Sequence, residues 1–285
     1  MSIVKEDLLA IKPDCVAGAT IEAKGETVAE GKCKLEPARC FILAILAGLF
    51  IGLGALLMTY VKSDGNLSFA VSSVLGASCF SLGLIMVVVG GAELFTGNNL
   101  MVMGALSKKV TWGAVLKNWV IVWVGNFVGS LILVGIVAGA NSAGMNGGEV
   151  GSMMMTVAAG KISLPASTII FRGILCNLLV CMAVWMGFAG KTVIDKIFTC
   201  IFPVMAFVAM GFEHCVANMF FLPMGIIAKS MGVAYTGSAN IDALTWGGAF
   251  YNIGFATIGN IIGGAIFVGV LYWLAYAKRE KQAAA

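Results

Sequence analysis

Two short segments place the same polar residues inside stretches that are otherwise apolar. Residues 91–98 read GAELFTGN and residues 211–218 read GFEHCVAN, so glycine, glutamate and asparagine recur at the same spacing. An ionisable side chain in a lipid-solvated stretch is unfavourable by several kcal/mol unless it is paired or faces a cavity. We therefore expect partners for Glu93 and Glu213. We favour backbone N–H groups freed where the helix breaks, over a direct role in transport.

His214 is the only histidine in the chain, and its counterpart in the first segment is Leu94. A lone histidine among apolar residues is ordinarily part of a core. Here the second segment carries a titratable group that the first lacks, which favours a functional role. An imidazole can offer a hydrogen bond or a proton to a weak-acid anion near neutral pH. A broken helix also presents free N–H groups and a positive dipole end, which suit an anion.

The composition indicates that most of the chain lies in lipid. It is 60% hydrophobic and 11% charged over 285 residues, whereas soluble domains carry about a quarter charged residues. Stretches long enough to cross a bilayer, about 20 residues each, predict six spans, the second and fifth too long and too interrupted to be simple helices. The predicted spans cover residues 39–61, 69–106, 112–138, 165–189, 197–228 and 246–277.

The spans after the two segments also match each other. Five positions correspond, and they are Asn118 with Asn252, Gly125 with Gly259, Asn126 with Asn260, Gly129 with Gly263, and Gly135 with Gly269. Three spans per half is an odd number, so the second half enters from the opposite side and the repeat is inverted. The glycines at G-x-x-x-G spacing let helix backbones approach closely. The fold class is therefore all-α integral membrane, an inverted three-plus-three repeat with broken second and fifth helices.

The chain divides into an N-terminal segment (1–37), a six-helix transmembrane domain (38–277) and a C-terminal tail (278–285). The N-terminal segment lacks the apolar core of a signal peptide. From Asp14 to about Lys34, with Pro13 near its first turn, it suits a polar or weakly amphipathic helix. We favour a solvated tail there over a cap or gate.

Lysine and arginine concentrate in the loops on one side, which predicts that both termini are cytoplasmic. The expected location is the prokaryotic cytoplasmic membrane. The basic residues are scattered, so no nucleic-acid partner is expected. The eight cysteines, without a C-x-x-C pair, are expected to be reduced and to pack as small apolar groups. We expect no cofactor and no metal.

These motifs resemble those of the formate/nitrite transporter family. The resemblance runs from about Cys40 to Ala277 and rests on six groups of residues: 79–84 (CFSLGL), 93–96 (ELFT), 117–119 (KNW) with Gly125-Asn126, 177–181 (NLLVC) with 183–186 (AVWM), 211–214 (GFEH) with 217–219 (ANM), and 259–264 (GNIIGG). It implies a homopentamer of six-helix protomers with aquaporin-like architecture, one pore in each protomer.

The resemblance also implies individual roles. It makes His214 the central histidine, faced across the pore by Thr96, and Lys161 the lysine that draws anions inward. Asn177 and Asn260 match asparagines near the pore. The apolar residues that it implies at constrictions are Phe80 and Phe207 on one side of the central chamber, and Leu84, Leu94, Phe95 and Val180 at its slits or gating loop.

The predicted function is a channel for small monovalent weak-acid anions. A bare charge is opposed by apolar constrictions, so His214, ordered by Thr96, is expected to donate a hydrogen bond or proton to the substrate. Formate is the favoured substrate, with nitrite and hydrosulfide next and short monocarboxylates such as lactate or acetate still open. Arg172 is expected to be an interfacial anchor or protomer contact in preference to a substrate ligand.

Three rivals come from other classes. A water or glycerol channel should carry paired Asn-Pro-Ala turns, where this chain has Thr-Gly-Asn and Val-Ala-Asn. A membrane enzyme needs a nucleophile with a base, a metal cluster or a cofactor motif, and the sequence offers none of these. A proton-coupled symporter is the serious rival, because the sequence does not distinguish passive from coupled flux.

Overall fold

In a computed structural model, the structure describes residues 16–283, with side chains through residue 277. All regular elements in that range are helical. The α-helices are α1 (Gly18–Cys33), α2 (Pro37–Lys62), α3 (Phe69–Gly90), α4 (Phe95–Asn98), α5 (Val102–Leu106), α6 (Trp112–Gly139), α7 (Glu149–Ile162), α8 (Ala166–Ala189), α9 (Val193–Ala209), α10 (Cys215–Ser230), α11 (Trp246–Ile261) and α12 (Leu271–Ala283). A π-helix (Ile262–Val270) joins α11 to α12, and a 3₁₀ turn (Asn99–Met101) joins α4 to α5.

Within residues 16–283, five helical segments are long and apolar enough to cross a membrane. They are α2, α3, α6, α8 and the continuous stretch Trp246–Ala277. Helices are the expected solution, because lipid offers no partner for a free backbone N–H or C=O. The predicted fifth span is divided into the shorter helices α9 and α10. The prediction of an all-α, multi-pass membrane protein with interrupted second and fifth segments is confirmed.

Each interruption begins at a glycine with a left-handed backbone. Gly91 follows α3 with φ +75°, and Gly211 lies just beyond α9 with φ +69°. A side chain with a Cβ is strained in this conformation. The chain then runs extended before α4 begins at Phe95 and α10 begins at Cys215. The repeated glycines in the sequence therefore mark the points where the two helices end.

Matching helix pairs in the two halves pack backbone against backbone. A Cβ added at Gly129 of α6 would lie 2.0 Å from the carbonyl oxygen of Ile45 in α2, and one added at Gly263 would lie 2.2 Å from that of Ile174 in α8. The packing role predicted for the G-x-x-x-G glycines fits this geometry. The α2–α6 and α8–α11 pairs thus correspond across the inverted repeat.

The N-terminal helix α1 packs against the rest of the protein, so the preference for a solvated tail is wrong. Ile21, Gly25 and Ala29 are buried, and the Glu26 carboxylate accepts a hydrogen bond from Ser107 and pairs with the Lys109 ammonium at 2.7 Å. Although α1 is only weakly hydrophobic, these hydrogen bonds and ion pairs to its polar side chains hold it against the rest of the protein. The predicted turn at Pro13 and Asp14 lies outside the described residues.

Gly129→Ala is expected to destabilise the protein by about 2 kcal/mol, because the new methyl group overlaps the α2 backbone. The matched control is Gly135→Ala on the same helix, where a Cβ meets nothing within 4 Å. At that exposed position alanine should be neutral or slightly stabilising. Thermal unfolding in detergent measures both, and equal midpoints for the two variants would contradict the packing account.

Docking of α1 should weaken as pH falls. Burial by itself raises the pKa of Glu26, but hydrogen bonds from Lys109 and Ser107 outweigh it and hold the pKa below its usual range. The stabilisation is therefore present at neutral pH and lost as pH falls through this lowered pKa. Glu26→Gln should lower amide-exchange protection in α1 roughly fivefold at pH 7, equivalent to about 1 kcal/mol. Glu30→Gln is the control, since the described ion pair of Glu30 is the 3.8 Å contact with Lys34 of the adjoining turn and its charge reaches Lys109 only at longer range. Equal protection in both variants would refute the prediction.

Candidate functional site

Two buried asparagines hold the helix breaks. The Asn260 amide donates to the carbonyl oxygens of Gly173 and Glu213 at 2.9 and 2.8 Å, and its Oδ1 accepts from the Cys215 N–H at 2.9 Å. The Asn126 amide makes the equivalent three bonds at the other break, to Ala44 and Glu93 carbonyl oxygens and from the Phe95 N–H. The freed backbone groups are therefore satisfied by asparagine side chains.

The expectation that Glu93 and Glu213 bond the freed backbone N–H groups is therefore wrong. The described contacts of their carboxylates are with side chains, not with backbone N–H groups. Glu213 accepts from Lys161 at 2.8 Å, Asn218 at 2.6 Å and Asn252 at 3.2 Å. Each break has its own acceptor for a freed backbone N–H, the Oδ1 of Asn126 or Asn260. Each carboxylate is instead stabilised by an ammonium group and by side-chain amides, as a buried charge requires.

Glu93 has the same surroundings as Glu213, with one lysine that the sequence reasoning missed. It accepts from Lys32 at 2.5 Å and from Asn98 at 2.8 Å, and Asn98 also donates to Asn118. Lys32 is the penultimate residue of α1, as Lys161 is of α7. A sequence signal existed: Lys32 lies five residues before Pro37, and Lys161 lies four before Pro165. The repeat thus includes the helix that precedes each half.

The ring of His214 joins the two breaks. Nδ1 accepts the N–H of Ala217 at 3.0 Å, which caps α10, and Nε2 lies 3.0 Å from Thr96 Oγ1. A neutral imidazole that accepts at Nδ1 carries its proton on Nε2. A second proton on Nδ1 would abolish the cap. The geometry therefore fixes the tautomer and leaves Nε2–H as the group available to Thr96 or to a substrate.

Two cavities approach this centre from opposite ends. The Lys161 cavity has a volume of about 430 Å³, and its wall includes Lys161, Glu213, His214, Phe80 and Phe207. The Lys32 cavity has a volume of about 240 Å³, and its wall includes Lys32, Glu93, Leu84, Leu94 and Gly97. Each cavity therefore contains one lysine–glutamate pair. Thr96 is fully buried and is among the residues between them.

Aromatic rings pack around His214 on the wall of the Lys161 cavity. The Phe207 ring stacks on the imidazole with centroids 5.8 Å apart and an interplanar angle of 17°. Phe80 meets Phe207 edge-on at 6.0 Å and stacks on Phe221 at 6.3 Å. These rings offer no hydrogen-bonding group to a passing anion, so they form an apolar barrier in front of the imidazole.

The remaining predicted residues line neither cavity. Asn177 donates to the carbonyl oxygens of Thr96 and Asn260 at 3.2 and 2.7 Å, so it and Asn260 hold the breaks together. Phe95 packs on Trp119, and Val180 is buried in the core. Direct contact between these four residues and a substrate stays a prediction.

Arg172 is half-buried and lies on the wall of the Lys161 cavity. Its expected role as an interfacial anchor or protomer contact stays a prediction. Its Nη1 is 3.5 Å from the carbonyl oxygen of Gly211. The position follows from the break, because the Arg172 carbonyl accepts the N–H of Glu213.

Asn260→Asp is expected to destabilise the protein by about 3 kcal/mol, because a carboxylate would face two buried carbonyl oxygens in place of the amide N–H groups. An oxygen that accepts the Cys215 N–H would remain, so the substitution tests only the two hydrogen bonds that the Asn260 amide donates. Asn240→Asp in the exposed loop before α11 is the control, because the one described hydrogen bond of this side chain is accepted by Oδ1, from the Asp242 N–H, and an aspartate keeps that acceptor. Thermal unfolding measures both variants. An Asn260→Asp protein as stable as wild type would contradict the role of Asn260 in holding the break.

Comparison of the chain with known proteins identifies one family. The formate/nitrite transporter family model matches residues 19–274. The formate channel FocA of Escherichia coli (strain K12) is 38% identical over 275 residues, covering 94% of this chain and 96% of FocA.

Two solved structures are also similar. A structure described as a pentameric formate channel with formate bound has 36% identity and a TM-score of 0.73, covering 85% of this chain and 98% of that one. A structure described as an FNT family ion channel has 27% identity and a TM-score of 0.79, covering 90% and 98%. The inverted breaks and the family match over nearly the whole length lead to one conclusion: the chain belongs to the formate/nitrite transporter family.

Proposed function

We propose that the protein is a channel for small monovalent weak-acid anions, with formate as the main substrate. The observation that carries the proposal is the His214 Nε2–H beside Thr96, buried between two cavities and behind a pair of phenylalanine rings. The similarity to FocA and to a formate-bound channel structure supports formate in particular. Nitrite and hydrosulfide are the alternative substrates of the same site.

The anion first meets positive charge and then loses water. The ammonium groups of Lys161 and Lys32 lie on the walls of opposite cavities. Beyond them Phe80 and Phe207 on one side, and Leu84 and Leu94 on the other, oppose a bare charge. A weak acid escapes this barrier when it shares or takes up a proton.

His214 supplies the hydrogen bond that makes passage possible. When a carboxylate oxygen replaces Thr96 as partner of Nε2, the imidazole donates to it and the negative charge is partly neutralised. Thr96 orients the ring before the substrate arrives. Because Nδ1 is held by the Ala217 N–H, the ring cannot rotate freely, and Nε2–H keeps one direction.

The proposed setting is the prokaryotic cytoplasmic membrane with both termini in the cytoplasm. Lysines and arginines of the loops concentrate at the end of the molecule that holds the N-terminal helix, as in Lys108, Lys109, Lys191 and Lys196. The Lys32 cavity then opens to the cytoplasm. We further propose a homopentamer, which the similar pentameric structure supports.

The test is formate flux into proteoliposomes at several pH values. Wild-type flux should rise as pH falls, because more substrate carries its proton. His214→Phe should reduce flux at pH 7 roughly tenfold, equivalent to about 1.4 kcal/mol, flatten the pH profile and allow ions to leak. Thr96→Val should lower flux less, and Thr27→Val on α1, which bonds only its own helix, should leave it unchanged.

Flux in His214→Phe equal to wild type at every pH would contradict this proposal. Adding nitrite, hydrosulfide and lactate as competitors ranks the substrates. A reversal potential that follows the proton gradient would identify coupled symport in place of a passive channel.

A further inference from the structure

The Lys161 cavity carries positive charge beyond that of the Lys161–Glu213 ion pair. Its wall includes three cationic side chains, Lys62, Lys161 and Arg172, and one carboxylate, Glu213. The Lys161 ammonium is 2.8 Å from Glu213, with both side chains largely buried, so these two charges offset each other. The excess positive charge of the cavity therefore belongs to Lys62 and Arg172.

Lys62 lies where the cavity opens outward. It is the last residue of α2. A Cβ added at Gly76 of α3 would lie 3.2 Å from the Lys62 Cγ, so the aliphatic part of Lys62 packs on α3 at this glycine. Among the described residues its ammonium has no hydrogen-bonded or ion-paired partner. Lys62 also lines an adjoining outer cavity of about 1090 Å³, whose wall carries Asp64 and Glu149. An anion that passes those carboxylates meets Lys62 next.

Arg172 faces the same space with most of its donors available. Its one described hydrogen bond is the long contact with the Gly211 carbonyl oxygen, at 3.5 Å. A guanidinium presents five N–H groups in a planar fork that matches a carboxylate. Its position beside the α9–α10 break puts it on the way to His214, which shares the cavity wall.

We propose that Lys62 and Arg172 form a capture subsite for a small monovalent oxyanion, ahead of the His214 centre. The pair raises the local concentration of anion inside a cavity whose apolar walls focus the field. Lys161 also contributes positive charge to this cavity, but its ammonium is paired with Glu213 at 2.8 Å, so it attracts an anion less strongly than Lys62 and Arg172 do. The subsite rests on the proposed function and deepens it, by naming the residues that set the apparent affinity for substrate arriving from this end.

The experiment measures formate uptake against formate concentration in right-side-out and inside-out membrane vesicles at fixed pH. Lys62→Gln and Arg172→Gln should each raise the half-saturating concentration about threefold to tenfold, with the maximal rate within twofold of wild type. The change should occur only in the vesicles whose Lys161 cavity faces the added formate. Lys229→Gln is the matched control, because this lysine pairs with Asp242 outside the cavity.

Charge-conserving variants separate electrostatics from folding. Lys62→Arg should keep the half-saturating concentration within twofold of wild type. Arg172→Lys should fall between wild type and Arg172→Gln, because it keeps the charge and loses the planar fork. Raising salt from about 20 to about 200 mM should weaken uptake less in the double Gln variant than in wild type. An unchanged half-saturating concentration in the Gln variants, or an equal change in both vesicle orientations, would overturn the subsite. Absence of formate uptake by the wild-type protein would instead overturn the proposed function.

Discussion

A helix that breaks inside a membrane leaves backbone N–H and C=O groups that lipid cannot bond, and this structure depends on how they are satisfied. Asn126 and Asn260 each accept one N–H and donate to two carbonyl oxygens, and both are fully buried. One residue type at one position per half therefore stabilises both breaks. The α4 and α10 helices can then begin within the apolar interior, with their first N–H groups bonded to Asn126 and Asn260.

A second set of contacts surrounds each of these two asparagines. Lys32 with Glu93 and Lys161 with Glu213 bring the helices α1 and α7 against the two breaks. A buried ion pair gains little net stability, but loss of one partner leaves an unpaired charge and is strongly unfavourable. The pairs thus specify where the leading helices dock. The two segments differ at several positions, and one of these differences places an imidazole, His214, where the other half has Leu94. This asymmetry gives the protein a single histidine at its centre.

The architecture was predictable because its signals are local. Span lengths follow from apolar runs, and the breaks follow from GAELFTGN and GFEHCVAN at matched positions. The partners within the breaks were not predictable, since Asn126 lies 33 residues from Glu93 and Lys32 lies 61 residues from it. The docking of α1 was missed because its contacts, such as Glu26 with Lys109, join weakly hydrophobic surfaces without a clear periodic pattern. The tautomer of His214 depends on a backbone N–H that only the folded chain brings to Nδ1.

Nitrogen-15 spectroscopy of the histidine ring tests the central claim most directly, because the chain has one histidine and labelling therefore reports on a single residue. With ¹⁵N-histidine protein in proteoliposomes, purified through a tag free of histidine, the account predicts a protonated Nε2, a bare Nδ1, and a shift of the Nε2 resonance as formate is added. A proton on Nδ1, or a spectrum that does not respond to formate, would contradict it.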